Sequence, residues 1–102
     1  MSIDVDVIID EKIKTEIQEP KRYKVLIIND DQTPMEWVIG ILMEIFRHSR
    51  ETAEKLTLQI HNEGSSVVGI YTYEVAEQKA LEATSVCKEN NFPLRIRLEE
   101  ST

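Results

Sequence analysis

Three amide or carboxylate side chains in a row, Asn29, Asp30 and Asp31, close the apolar run "YKVLII" and precede "QTPMEW". Asn and Asp are common after strands, because their side chains bond nearby backbone and tolerate unusual dihedrals. A turn uses one or two of them, and three leave acceptors to spare. Their neighbours Ile27, Ile28, Met35 and Val38 are large and apolar. A partly desolvated carboxylate among such groups is costly unless a cation meets it. His61 is a second chemical resource, near the end of a helical segment. There an imidazolium is favoured by the helix dipole, while a neutral ring nitrogen can accept a hydrogen bond. Two readings therefore stand side by side: turn and dipole chemistry alone, or a set of acceptors for a cation.

Catalytic and metal readings of the same residues are weaker. Asp31 and His61 offer an acid–base pair, but no oxyanion device, nucleophile elbow or phosphate loop accompanies them. No His pair, HExxH or calcium-loop pattern occurs, so no metal and no cofactor is expected. Cys87 is the only cysteine, which rules out an internal disulfide and fits a reducing compartment. It falls on the apolar stripe of a helix, where packing explains it.

These side chains must be held by a small core. A chain of 102 residues with 41% hydrophobic side chains suits one domain. Lys and Arg number 12 against 19 Asp and Glu, a net charge of −7 with His neutral. That balance disfavours nucleic acid or an anionic membrane and suits a cationic group or a basic protein surface. The start "MSIDVDVIIDEKIKTE" lacks the basic onset and unbroken apolar stretch of a signal peptide, and no run is long enough to span a bilayer. The chain reads as soluble and cytoplasmic.

Residues 1–22 read as a mobile acidic arm, with an edge strand in "SIDVDVIID" as the alternative. Pro20 marks the boundary. "YKVLIIN" is β-branched and apolar, hence a strand. Thr33, Pro34 and Glu36 form a capping-box pattern, with Thr33 as N-cap. Met35, Val38, Ile41, Leu42, Ile45 and Phe46 then recur at helical spacing. Ser49 caps a second helix, "RETAEKLTLQIHNE", with Ala53, Leu56 and Ile60 on one face and Gly64 ending it. "SVVGIYT" is a second strand. A third helix runs from about Glu74 to Asn90 with a stripe of Val75, Ala76, Ala80, Ala83, Val86 and Cys87. "NNFP" breaks it, and "LRIRLEE" alternates as the last strand. The order β-α-α-β-α-β implies an α+β fold, a three-stranded antiparallel sheet covered on one face by three helices.

"YKVLIINDDQTPMEWVIGIL", followed in order by "LTLQIHNEG", "VVGIYTYEVAEQKA" and "NNFPLRIRLEE", resembles the signature of the ClpS family. These adaptors deliver N-degron substrates, proteins marked by their first residue, to a Clp AAA+ protease. The likeness covers residues 23–100 and implies an adaptor domain over 23–102. It implies a site that holds the α-ammonium of a protein N-terminus through Asn29, Asp31 and His61, with Asp30 bracing the loop or pointing outward. The implied apolar pocket for the first side chain is made by Ile27, Ile28, Thr33, Met35, Val38, Ile60 and Leu94. Thr57 stands where well-known members carry Met at the pocket gate, which is either a neutral exchange or a roomier gate. Glu74 and Lys79 would belong to the surface that docks on a Clp ATPase of the ClpA or ClpC type. The implied protein is a non-enzymatic monomer that binds neither nucleic acid nor membrane. The alternative is a general interaction module of the same fold that does not read N-termini.

Such a host is chemically sensible. An α-ammonium presents three N–H donors and a charge, and an amide oxygen, a carboxylate and a neutral imidazole nitrogen supply three acceptors.

Overall fold

In a computed structural model of the chain, residues 20–101 are described. The expectations for the arm fall almost entirely on residues 1–19, outside that range. The elements are β1 (Arg22–Ile28), α1 (Met35–Glu44), α2 (Arg50–Glu63), β2 (Ser65–Thr72), α3 (Tyr73–Glu89) and β3 (Arg95–Ser101). The sheet is antiparallel in the order β2-β1-β3. The expected element order and α+β class are thus what the chain adopts.

Strand β1 lies in the centre because it is the most apolar of the three. Val25 and Ile27 are fully buried on the helix side, and period-two alternation turns Leu26 and Ile28 to the other face. Helix α1 packs on α2, α2 on β2, and α3 crosses all three strands. The core is built from Val38, Ile41, Leu42, Phe46, Ala53, Ile60, Val68, Ala76, Ala83 and Cys87 around those strand residues.

A bulge sharpens the sheet. Val25 pairs with Gly69 and Leu26 with Val67, so Val68 is the extra residue. The Val68 carbonyl bonds Nε2 of His48 at 2.6 Å, which ties the α1–α2 connection to the sheet. A further tie comes from Lys79, whose Nζ donates to the Ile45 carbonyl beyond α1 at 2.7 Å and lies 5.4 Å from the Tyr71 ring centroid.

Two helix starts differ in kind. Ser49 caps α2 as expected, its Oγ accepting from the Thr52 N–H at 3.2 Å. The expected capping box at α1 does not form. Pro34 is the N-cap, with no side-chain cap bond, and its carbonyl accepts from Trp37 and Val38. Thr33 instead donates its hydroxyl to Asp30, and Glu36 pairs with Arg50. A carboxylate three residues back outcompetes a weak cap because a charge-assisted bond is the stronger one. Val75 also departs from the expected α3 stripe and is 43% exposed, while Ala76, Ala83 and Cys87 are buried. It sits in the first turn and lines an open cleft with Arg22, Tyr71 and Thr72.

Gly64 ends α2 in the left-handed region, φ 91°, with its N–H bonded to the Ile60 carbonyl. A side chain there is strained whatever space surrounds it, by about 1–2 kcal/mol. Gly64→Ala is expected to lower unfolding free energy by about that amount in urea titration, and an unchanged midpoint would show that the turn relaxes.

Candidate functional site

The end of β1 and the end of α2 meet. The Asn29 N–H donates to the Gly64 carbonyl at 2.8 Å, extending the β1–β2 ladder by one bond and fixing the loop beside the last turn of α2. That turn carries His61. Between the two lies a cavity of about 270 Å³. Its polar rim is Asn29, Asp30, Asp31 and His61, and its apolar lining is Met35, Val38, Ile60 and Leu94, with Thr33, Pro34 and Thr57.

Within the rim, Asp30 has a distinct task. Its Oδ2 accepts the Gln32 N–H at 3.2 Å and the Thr33 hydroxyl at 2.7 Å, and its carbonyl accepts the Thr33 N–H. These bonds tie Asp30 to its own loop. Of the three polar residues, Asp30 is the one spent on the turn. Among the described residues, the side chains of Asn29, Asp31 and His61 make no hydrogen bond within the protein, and Asp31 and His61 are exposed. The rim offers an amide, a carboxylate and an imidazole to a visitor.

The lining is sorted by helix geometry. Val38, Ile60 and Leu94 are buried at 5%, 2% and 5% exposure, whereas Met35 is 40% exposed and stands at the mouth. Thr57 is buried and donates its hydroxyl to the Ala53 carbonyl at 2.7 Å, one turn back in α2. With that donor spent on the helix, Thr57 contributes little polarity to the wall.

Two expected lining residues, Ile27 and Ile28, do not line this cavity. Ile27 is fully buried in the core, and Ile28 lines a different cleft with Thr84, Lys88 and Phe92. Consecutive strand residues point to opposite faces, which separates the Ile27 and Ile28 side chains. Pro34 was missed as a lining residue. Its place between Thr33 and Met35, both lining, was the available signal. Of the expected docking pair, Glu74 is exposed, while the Lys79 ammonium is occupied by the Ile45 carbonyl.

Burial pushes the Cys87 thiol up, against a smaller downward pull from the Trp37 indole N–H, which donates to its sulfur at 3.4 Å. A raised thiol is a poor nucleophile. Among the described residues no group of three or more His, Cys, Asp or Glu side chains is arranged to hold a metal ion. No helix among them is long and apolar enough to cross a membrane.

Residues 18–97 match the family described as ATP-dependent Clp protease adaptor protein ClpS. The chain belongs to the ClpS family. The ClpS-family adapter protein of Helicobacter hepaticus is 46% identical over 88 residues, 86% of this chain and 89% of its own. That of Sodalis glossinidius is 45% identical over 92 residues, 90% of this chain and 87% of its own. The solved structure of Agrobacterium tumefaciens ClpS2 bound to L-phenylalaninamide has a TM-score of 0.79 and 42% identity, covering 81% of this chain and 100% of that one. The curated ClpS relatives are named as adapters of the ATP-dependent Clp protease.

The Asp30–Thr33 bond is what shapes the ClpS-family loop here. Thr33→Val keeps the shape and removes the hydroxyl, leaving the half-buried Asp30 carboxylate short of a donor. Unfolding free energy is expected to fall by about 1–3 kcal/mol, measured by chemical denaturation. A loss equal to that of Asp30→Asn,Thr33→Val together would locate the whole effect in this one bond. Stability equal to the parent's would mean water replaces the hydroxyl.

Proposed function

We propose that this ClpS-family chain binds protein N-termini that begin with a bulky apolar residue and presents them to a Clp ATPase of the ClpA or ClpC type for degradation. The observation that carries the reading is one small cavity with three uncommitted acceptors on its rim and an apolar interior. Asn29, Asp31 and His61 take the α-ammonium, Asp30 holds the loop, and Thr33, Met35, Val38, Thr57, Ile60 and Leu94 enclose the first side chain. The ligand of the Agrobacterium relative, L-phenylalaninamide, combines a free α-amine with a benzyl group, which is the chemistry these two halves suit. Glu74 is the exposed docking group for the ATPase, and Lys79 sets the position of its helix. The chain acts as a monomer in the cytoplasm and catalyses no reaction of its own.

Magnitudes explain why both halves are needed. A hydrogen bond to a charged group contributes about 1.5–3 kcal/mol, and burying a Leu or Phe side chain contributes a similar amount. Association costs about 4–15 kcal/mol before affinity emerges. A free amine without a bulky side chain, or the reverse, is left near or below that threshold. The site reads a coincidence.

N-acetylation of a Phe-starting peptide removes the charge and two of the three donors. Affinity should fall by about 100-fold or more, read by fluorescence anisotropy against the free peptide. Retained affinity would remove the ammonium site and leave a general interaction module. The roomier gate at Thr57 gives a second expectation. Thr57→Met should cost Val- and Ile-starting peptides about tenfold more than Phe-starting ones, because β-branched side chains are widest at the mouth. Equal losses across the three peptides would mean that Thr57 does not set specificity.

A further inference from the structure

Helix α1 rests on α2, and α3 rests on the sheet, so a groove of about 300 Å³ opens between α1 and α3. It is separate from the N-terminus-binding cavity and shares no lining residue with it. The two helices are bridged by the Lys79 Nζ bond to the Ile45 carbonyl and by the Trp37 indole bond to Cys87. Trp37, Ile41, Ile45 and Val86 make an apolar floor. The Trp37 ring is pinned edge-on against Phe92, with centroids 5.1 Å apart, and its only polar atom is spent on Cys87.

Gly40 is the unexplained residue of this groove. It sits in the interior of α1, where glycine is the poorest choice apart from proline. Its backbone is not left-handed, and a Cβ built on it would meet no heavy atom within 4 Å. Nothing inside the fold requires its smallness. A missing side chain with open space above it, at the floor of an apolar groove, leaves room for a group from another molecule.

The rim says which kind of group. Glu36, Glu44 and Glu82 border the groove. Glu36 is paired with Arg50, while Glu44 and Glu82 have no ion-pair partner among the described residues. A second copy of this chain, with net charge −7, is repelled. Residues 1–19 carry six acidic and two basic side chains and are disfavoured for the same reason. We propose that the α1–α3 groove docks a basic segment of a partner protein, with a bulky apolar side chain entering over Gly40 and flanking Lys or Arg side chains meeting Glu44 and Glu82.

Trp37 is the only tryptophan of the chain, so intrinsic fluorescence reports directly on this groove. The probe is an N-acetylated, C-amidated peptide with a Lys-Leu-Lys core, whose blocked amine keeps it out of the N-terminus site. Glu-Leu-Glu and Lys-Ser-Lys peptides serve as controls. A saturable Trp37 response to the first peptide alone is expected, weakening with salt. Glu44→Lys with Glu82→Lys should weaken it about tenfold. Gly40→Leu should abolish it without lowering the thermal midpoint. Each variant should bind a Phe-starting peptide as the parent does, so a failure here is distinct from a failure of the proposed function. An equal response to the acidic control, an unchanged affinity in the double glutamate variant, or a response appearing only after removal of residues 1–19 would overturn the proposal.

Discussion

One backbone hydrogen bond, from the Asn29 N–H to the Gly64 carbonyl, joins the two halves of the chain that form the site. It continues the β1–β2 ladder beyond Ile28 and Ser65, and so fixes the loop after β1 against the turn after α2. Without that bond Asn29 and Asp31 belong to one loop and His61 to the end of an unrelated helix. With it they share a rim. Gly64 is the enabling residue, because only its left-handed backbone lets α2 stop and β2 begin one residue later.

The polar and apolar parts of the cavity then follow from two separate rules. The apolar lining is the ordinary core seen from its edge: Val38, Ile60 and Leu94 are core residues from a helix, a second helix and the approach to β3. The polar rim is loop and helix terminus, where side chains are free of ladder and packing duties. Asp30 shows the cost of keeping such a rim ordered. Its carboxylate is committed to Gln32 and Thr33, which braces the loop, while the side chains of Asn29 and Asp31 make no hydrogen bond among the described residues.

The same economy runs across the far side of the molecule. Lys79 and Trp37 each join α3 to the region of α1 through a polar atom, and the apolar surface left between the two helices is neither filled nor covered among the described residues. An ammonium at Lys79 that looks, from its sequence position, like a surface charge is part of that internal joinery. Glu74, five residues earlier on the same helix, is exposed.

By itself the sequence determined the element order, the α+β class and the identity of the polar cluster, because each rests on local signals. β-branched runs, helical periodicity, the Ser49 cap and the Gly64 stop act within a few residues of one another. The cooccurrence of "NDDQTPMEW", "IHNEG" and "YEVAEQKA" added the family. Local reasoning failed where two nearby groups compete. Thr33 chose the Asp30 carboxylate over the helix start, and Val75 fell off the buried face of α3. Only the tertiary structure decided that His61 meets Asn29 and Asp31, that Ile27 and Ile28 lie outside the cavity, and that Lys79 is tied down. These are distances between segments far apart in the chain, set by sheet register and helix packing, and no short window of residues contains them.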